Sequence, residues 1–331
     1  MTLGAFPPVL THDVERRRDM AHIGPVELFT PDLEASKRFF VDLMGLDETH
    51  HETDAVFLHC WDDYAAYSIH LIQRDTPGVG RTLIRAASPN GLIRLIDTLR
   101  TSGIQVDEVH GTFGIGPVHS FKDPDGHEFG LYWEVAAYVA DAAHKPALKN
   151  QAAAFPGRGA NVRRLDHVNY LAADVPAISG FLGETLGARC TERIIAADGT
   201  PTGIWFSITN KSYDLVYTAD WTAATGRLHH IAFATDTRED ILRACDIFLE
   251  AGIHIETGPH KHAVQQTFFL YVWEPGGNRI ELCNAGARLI LAPDNDSITW
   301  TAEERAKGQA WGLQTTPTFH TYGTPQVPSA G

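Results

Sequence analysis

The sequence predicts an α+β protein built as two similar halves. Each half begins with a strand pattern followed by an amphipathic helical pattern, and a later strand pattern is again followed by a helix. Both of these later helices end before a Gly-Ile pair, at Gly103 and at Gly252. Each half then finishes with a near-copy of one hairpin, residues 121–131 in the first half and 272–282 in the second. This recurring order indicates two copies of one arrangement.

The individual elements follow from local patterns. The opening strands are expected at 24–29 and 165–171, and the helical runs that follow them end at Gly45 and Gly187, which are helix stops. In each closing hairpin an acid-Pro-x-Gly turn joins two strand patterns, because proline fixes φ and glycine accepts the positive φ that follows. The second strand and helix of each half are expected at 81–87 with 91–101, and at 227–234 with 238–250.

Composition describes an ordinary globular protein, with 44% hydrophobic and 21% charged residues among 331. This length predicts about two domains. The net charge of −14 argues against a nucleic-acid partner, because phosphate binding needs a concentrated basic patch. No apolar run approaches the ~18–20 residues of a membrane span, and the N-terminus lacks the apolar core of a signal peptide. Because the four cysteines have no zinc-like or disulfide-like spacing, we expect a cytoplasmic protein with reduced thiols and no membrane partner.

Three polar residues in the second half form a candidate metal site. His167, His230 and Glu281 each lie in a short apolar strand pattern, where a valine or isoleucine is the ordinary occupant. Two histidines and one carboxylate on three strands could bind one face of an iron ion and leave the other face open.

The first half has no such set at the corresponding places. When the halves are aligned by their repeat, His167 falls on Pro25, and Glu281 falls on Gly130. His230 falls on about Ile84. We therefore predict one metal site, in the second half alone.

The chain resembles the vicinal oxygen chelate superfamily, and within it the type I extradiol ring-cleaving dioxygenases of the catechol and homoprotocatechuate 2,3-dioxygenase branch. The resemblance covers about residues 20–315 and rests on the motifs at 165–169, 227–230 and the final hairpin through Glu281. It implies paired βαβββ modules, arranged as two tandem domains that are each an open β-barrel flanked by helices. The expected division is a domain without metal at 1–145, a catalytic metal-binding domain at 160–290, and a tail at 291–331 that covers the barrel mouth or makes subunit contacts.

The resemblance also implies an activity. Members of this branch use Fe(II) to insert both atoms of O2 into a catechol-like aromatic diol, opening the ring beside the diol during the breakdown of aromatic compounds. His167, His230 and Glu281 match the iron ligands, and of two adjacent histidines the family uses the second, which leaves His229 outside the ligand set. Mn(II) could occupy the same ligands, because their types do not discriminate it from Fe(II). A homo-oligomer, a tetramer or dimer, is the implied assembly.

Three further residues match pocket positions of the family, and a fourth departs from its pattern. His262 corresponds to a histidine that hydrogen-bonds the substrate oxygen, Tyr271 to the active-site tyrosine, and Asn169 to a pocket asparagine. Tyr213 departs from the pattern, because it stands where the branch carries an acid–base histidine. A phenol with a pKa near 10 is a poor proton shuttle at neutral pH. Three explanations of Tyr213 stay open. Oxygen activation is slower than in the rest of the branch, or Tyr213 binds a differently substituted substrate. In the third, the enzyme is an iron oxygenase of another phenol, such as a hydroquinone or aminophenol.

Other departures bear on the substrate and on alternative classes. Arginines that pair with a substrate carboxylate in part of the branch would align with about Thr257 and Gly308, so we expect an uncharged or otherwise substituted catechol. A glyoxalase-type isomerase would need metal ligands in both halves, and a non-catalytic antibiotic-binding relative would have none. Outside the core, the alanine-rich residues 134–161 predict a short helix and a linker, and residues 301–311 predict a helix capped by Thr301.

Overall fold

The computed structural model describes residues 18–284, 288–292 and 295–327. Within these ranges the chain forms two mixed sheets, one of eight strands and one of nine, with helices packed against them. Each half runs strand, helix and three strands, and then repeats that order. The predicted α+β class and the paired βαβββ modules are confirmed.

The first half contains eight strands and two helices within residues 18–132, and a π-helical turn at Phe39–Leu43 continues the first helix. The elements are β1 (Met20–Thr30), α1 (Leu33–Arg38), β2 (Asp47–Glu52), β3 (Ala55–His59), β4 (Ile69–Gln73), β5 (Gly78–Ala86), α2 (Pro89–Thr101), β6 (Asp107–Val109), β7 (Val118–Lys122) and β8 (Glu128–Tyr132).

The second half repeats these elements in the same order, again with a π-helical turn, at Phe181–Thr185. They are β9 (Arg164–Ala172), α3 (Val175–Gly180), β10 (Arg189–Ile195), β11 (Pro201–Ser207), β12 (Leu215–Ala219), β13 (Arg227–Thr235), α4 (Arg238–Glu250), β14 (Ile255–Lys261), β15 (Phe268–Trp273) and β16 (Arg279–Asn284). The described tail adds β17 (Ile298–Thr301), α5 (Ala302–Ala306) and α6 (Thr318–Thr321).

The two sheets share one strand order. The first runs β6-β7-β8-β5-β1-β4-β3-β2, and the second runs β14-β15-β16-β13-β9-β12-β11-β10, with β17 added beside β10. Matching backbone hydrogen bonds fix the correspondence: Val26 N donates to Ser68 O at 3.2 Å, as Val168 N donates to Asp214 O at 3.3 Å. The proline before Val26 therefore corresponds to His167, as the repeat predicted.

The predicted counterpart of His230 was wrong. The pairing of β5 with β1 and of β13 with β9 places Arg81, rather than Ile84, at the position of His230. The β1–β5 ladder shifts register between Ile23 and Val26. Such a bulge adds residues to one strand only, so counting along the sequence misplaces the match.

The closing hairpin of the first half is anchored in the second half. His127 Nδ1 donates to Asp123 Oδ2 at 2.9 Å, and the Tyr217 hydroxyl donates to the same oxygen at 2.8 Å. His127 Nε2 donates to the carbonyl of Arg227 at 3.1 Å. Both ring nitrogens of a buried histidine thus face acceptors, which favours the charged ring.

The closing hairpin of the second half is anchored in the first half in the same way. Ser36 Oγ donates to Glu274 Oε2 at 2.7 Å, and Asn278 Nδ2 donates to the carbonyl of Phe29 at 2.9 Å. The near-copied hairpins therefore form a reciprocal contact that fixes one sheet against the other. This contact explains why acidic turn residues recur at both places.

Two helix predictions need correction. Residues 133–163 contain no helix, because Val135 and Ala137 form isolated β-bridges instead. α5 begins with the predicted Thr301 cap, which accepts from Glu304 N at 3.2 Å, but ends at Ala306 because Gly308 takes a φ of +87°. Within the described ranges, no helix combines the length and hydropathy that crossing a bilayer requires.

Candidate metal centre and its cavity

His167, His230 and Glu281 meet on three neighbouring strands. They lie on β9, β13 and β16, which are adjacent in the second sheet, and all three side chains are buried. His167 Nε2 lies 3.2 Å from His230 Nε2 and 3.0 Å from Glu281 Oε2. His230 Nε2 lies 3.1 Å from the same Glu281 oxygen. Three ligand atoms therefore converge on one point.

This spacing fits a six-coordinate divalent metal ion. Metal–nitrogen and metal–oxygen bonds of about 2.1 Å at right angles place neighbouring ligand atoms about 3.0 Å apart. Glu281 is only 1% exposed, and its Oε2 lies against the two histidine Nε2 atoms, at 3.0 and 3.1 Å. A carboxylate buried this deeply needs a positive partner, which a charged His167 ring or a bound metal ion supplies. These three residues could hold one.

The charges of the three residues also favour a cation at their meeting point. Burial alone would raise the pKa of Glu281, but the charge and hydrogen bonds of His167, with those of His230, hold that pKa well below its usual range. Burial would lower the pKa of His167, but Glu281 and Asp166 outweigh it and raise that pKa. Burial lowers the pKa of His230 to about 4. The Glu281 carboxylate thus remains ionised and attracts positive charge.

The second ring nitrogen of each histidine makes a contact that orients the ring. His167 Nδ1 donates to Asp166 Oδ1 at 2.9 Å, and Lys211 Nζ lies 3.3 Å from that oxygen and 2.5 Å from the Asp166 carbonyl. This contact fixes the tautomer that turns Nε2 of His167 towards the convergence point. Lys211 in turn holds the carboxylate in place.

His230 is oriented by its neighbour His229. The two Nδ1 atoms lie 2.6 Å apart, and His229 Nε2 donates to the carbonyl of Phe319 at 2.6 Å. The β9–β13 ladder shifts register between Leu228 and His230, which brings the two adjacent rings into contact. Burial lowers the pKa of His229 well below its usual value, so it accepts from His230 as a neutral ring. His229 lies outside the cluster that could hold a metal.

All seven residues singled out from the sequence line one cavity of about 390 Å³. Tyr271 pairs with Glu281 across β15 and β16, and its hydroxyl lies 3.1 Å from His262 Nε2. The same His262 nitrogen lies 3.5 Å from Glu281 Oε1. Asn169, two residues beyond His167 on β9, accepts from Thr218 Oγ1 at 3.2 Å.

Tyr213 forms one wall of this cavity. Its ring lies 4.5 Å from that of His167, and its hydroxyl lies 3.0 Å from Thr267 Oγ1. Burial, together with the nearby charge of Glu281, raises its pKa well above the usual value. The same position in the first half is also a tyrosine, Tyr67, whose hydroxyl lies 2.5 Å from Thr112 Oγ1. A buried tyrosine bonded to a threonine is thus common to both halves, with or without the metal ligands.

The first half fills the corresponding space with other groups. Arg81, the counterpart of His230, forms an ion pair with Glu27 at 3.1 Å. Any side chain at Gly130, the counterpart of Glu281, would approach Val118 to 2.4 Å and Leu83 to 2.7 Å. Val118 and Leu83 belong to a buried hydrophobic cluster. Its other members are Phe57, Ala66, Tyr67, Ile115 and Tyr132.

Sequence patterns missed the residues that the tail brings to the cavity. Gln309 Oε1 accepts from His262 Nδ1 at 3.1 Å and from Ala263 N at 3.3 Å. Arg305 and Phe319 also line the cavity. No periodicity marks these residues, because they reach the site through a fold-back in which Ala310 N donates to the carbonyl of Lys261 at 3.1 Å.

The fold agrees with comparison to known families. The sequence profile of the Glyoxalase/Bleomycin resistance protein/Dioxygenase superfamily matches residues 22–131 and 164–282, one segment in each half. The chain belongs to this superfamily.

Similar proteins include two from Geobacillus. A metapyrocatechase of Geobacillus stearothermophilus is 31% identical over 88% of this chain and 90% of its own. A manganese-dependent 2,3-dihydroxybiphenyl 1,2-dioxygenase of Geobacillus genomosp. 3 is 34% identical over 88% of this chain and 94% of its own. Among solved structures, homoprotocatechuate 2,3-dioxygenase from Arthrobacter globiformis has a TM-score of 0.82 at 26% identity, covering 95% of this chain and 94% of its own.

Proposed function

We propose that this protein is an extradiol ring-cleaving dioxygenase that uses a divalent metal ion held by His167, His230 and Glu281. The single observation that carries the proposal is the convergence of their three buried ligand atoms within 3.2 Å of one another. Its substrates are an aromatic diol and O2. The ion is Fe(II), with Mn(II) as the alternative, since one relative is named as manganese-dependent and the ligand types accept both.

When bound at His167, His230 and Glu281, the ion would supply Lewis-acid and redox chemistry to the diol and O2. The protein residues hold and move protons around it. Gln309 Oε1 accepts from a backbone N–H as well as from His262, so His262 Nδ1 carries a hydrogen. In the neutral ring, Nε2 carries a lone pair that can accept a proton from a hydroxyl of the diol. The Tyr271 hydroxyl lies 3.1 Å from the same nitrogen.

Tyr213 and Asn169 take supporting roles. The raised pKa of Tyr213 keeps its proton in place at neutral pH, so this residue positions the substrate and closes the cavity instead of shuttling protons. Asn169 faces the same cavity beside His167. Tyr213 also supports the second candidate function, an oxygenase of the same fold that acts on a hydroquinone, an aminophenol or another phenol.

Oxygen uptake tests the proposal. Protein purified without oxygen is loaded with Fe(II), and in parallel with Mn(II), and is then given catechols, hydroquinones and aminophenols in turn. One O2 consumed per catechol, with a new yellow product, is the expected result. Uptake with hydroquinones or aminophenols alone moves the protein to the second candidate function. No uptake with any phenol, in protein that holds its metal, overturns both.

Three features of the organisation remain predictions. The domains are assigned to 1–145 and 160–290, with the tail 291–331 covering the cavity; the placement of Gln309 and Phe319 on its lining supports the tail assignment. Assembly as a homo-oligomer and a cytoplasmic location complete the proposed description.

A further inference from the structure

Arg279 lies at the start of β16, two residues before Glu281, and its side chain is fully buried. Successive side chains of a strand alternate between the two faces of its sheet, so Arg279 and Glu281 project from the same face. A guanidinium stays charged in a protein and carries five N–H donors, so burying it is costly unless the donors meet acceptors. The partners of Arg279 therefore show which parts of the chain this residue joins.

Each of the five donors of Arg279 has an acceptor. Nε and Nη2 form two parallel hydrogen bonds with the carboxylate of Glu256 on β14, at 2.6 and 2.9 Å. Nη2 also donates to the carbonyl of Thr318, at 3.2 Å. Nη1 donates to the carbonyls of Tyr322, at 2.8 Å, and of His229, at 3.1 Å. One side chain thus joins β13, β14 and β16 to the tail.

The tail segment that Arg279 holds is α6. The two hydrogen bonds to the tail reach the first residue of this helix and the residue that follows its end. Between these two points, the carbonyl of Phe319 accepts from His229 Nε2 at 2.6 Å. The Phe319 ring packs edge-on against the rings of His229 and Tyr271, with centroids 4.6 and 4.9 Å away. α6 therefore contacts both the residue that orients His230 and a tyrosine of the cavity.

His229 is held at two points by these contacts. Arg279 binds its backbone carbonyl, and the Phe319 carbonyl binds Nε2 of its ring. The remaining ring nitrogen, Nδ1, lies 2.6 Å from Nδ1 of His230, the proposed metal ligand. A shift of α6 would turn the His229 ring and, with it, the hydrogen bond that fixes His230. The loss of such a contact behind a metal ligand typically weakens metal binding by about 10- to 100-fold.

We propose that Arg279 is a positioning residue that couples the docking of α6 to the orientation of His230, so that the metal ion and the tail stabilise each other's binding. The inference rests on the metal centre of the proposed function, because the coupling acts through one of its ligands. Arg279 itself does not line the cavity, so it acts through the residues that it holds. Such a coupling is reciprocal: the factor by which a docked tail tightens metal binding is the factor by which the ion tightens docking.

Arg279→Lys tests the coupling in the full-length protein. Lysine keeps the positive charge opposite Glu256, but it has three donors and cannot reproduce the planar fork of arginine. We expect Arg279→Lys to bind Fe(II) or Mn(II) about 10- to 100-fold more weakly than wild type, in competition with a chelator and without oxygen. Far-ultraviolet circular dichroism checks the fold of the variant.

Arg227→Lys is the matched control. Arg227 also binds the tail, because its Nε donates to the carbonyl of Thr324 at 2.8 Å. Within the described part of the chain, however, its side chain makes no hydrogen bond to α6 or to His229. The metal affinity of Arg227→Lys should therefore stay within about threefold of that of wild type.

Hydrogen exchange in the tail gives a readout that is independent of activity. The amide of Tyr322 donates to the carbonyl of Thr318 at 2.9 Å, so its exchange rate reports on the docking of α6. Loading the metal should slow this exchange by about tenfold or more in wild type, and much less in Arg279→Lys. The comparison of wild type with and without the ion decides the question even if Arg279→Lys does not fold.

Two results would overturn the inference and leave the metal centre standing. One is a metal affinity of Arg279→Lys within about threefold of wild type, or an equal loss in Arg227→Lys. The other is exchange at α6 in wild type that does not respond to the ion. Coupled metal binding and tail protection without any O2 uptake would support the inference and overturn the proposed reaction. Wild type that binds no metal ion would overturn both.

Discussion

Gln309 holds His262 from the side opposite the candidate metal centre, with its Oε1 accepting from Nδ1 at 3.1 Å. The two residues are 47 positions apart and belong to different parts of the fold, since Gln309 is in the tail and His262 directly follows β14. Because Nδ1 donates in this contact, Nε2 is left as the acceptor that faces Tyr271 and the cavity. The tail therefore contributes directly to the arrangement of the site.

Replacing Gln309 with alanine should lower kcat by about tenfold or more, because His262 loses the contact that fixes its tautomer and direction. The metal content should stay unchanged, since Gln309 does not touch the three ligand residues. Steady-state kinetics together with metal analysis measures both. Gln326→Ala, an exposed change in the same tail, is the matched control. Unchanged kcat in Gln309→Ala would contradict the orienting role.

Replacing Asp166 with asparagine should weaken metal binding by about 10- to 100-fold, because His167 loses the carboxylate that orients its ring. Lys211 would also lose one of its two acidic partners, Asp166 and Asp214. Competition with a chelator measures the affinity, and far-ultraviolet circular dichroism checks the fold. If Asp166→Asn binds metal as tightly as wild type, Asp166 does not orient the ligand.

Replacing Tyr213 with phenylalanine should reduce kcat by less than about tenfold, since a proton held this firmly does not take part in transfer. Because its pKa is raised, the Tyr213 hydroxyl remains protonated throughout the neutral range. The pH profile of kcat should therefore keep its shape in Tyr213→Phe. A loss of more than about 100-fold, or a missing limb of the profile, would mean that the phenol is an acid–base group after all.

Replacing His127 with glutamine should destabilise the protein more at pH 6 than at pH 9. Burial lowers the pKa of His127, but the charge of Asp123 outweighs it and raises the pKa above the usual 6.5. The charged ring therefore contributes stability that is fully present below pH 6.5 and is lost as the pH rises through the folded-state pKa. Urea unfolding of both proteins from pH 6 to 9 should give a difference of about 1–3 kcal/mol that shrinks with pH. A constant difference would contradict the charged pair.

The three candidate ligands could be picked out from the sequence because each breaks a local rule. A polar residue in a buried apolar strand stands out from its neighbours, and the repeat supplied a second copy in which Pro25 and Gly130 occupy two of the positions. The predicted counterpart of His230 was wrong, because bulges in the β1–β5 ladder change the count of residues without leaving a mark in the sequence. Arg81 occupies that position instead of Ile84.

The contribution of the tail could not be predicted. Gln309 and Arg305 line the cavity only because β17 adds to the second sheet and Gly308 ends α5. Both features depend on contacts between residues that are far apart in sequence. The helix predicted from the alanine-rich residues 134–161 was wrong because local propensity did not decide the structure there. Its helix propensity is overridden by the bridges that Val135 and Ala137 form with Ile115 and Ala65.

The most direct test of the central claim is the metal content of Glu281→Ala beside wild type, after loading with Fe(II) without oxygen. We expect about one ion per chain in wild type and almost none in a folded variant, because two imidazoles alone leave the ion without its anionic ligand. Glu274→Gln, which changes a buried carboxylate in the turn of the same hairpin but outside the cavity lining, serves as the control and should keep its ion. A folded Glu281→Ala that binds a full equivalent of iron would contradict the assignment of His167, His230 and Glu281 as the metal centre.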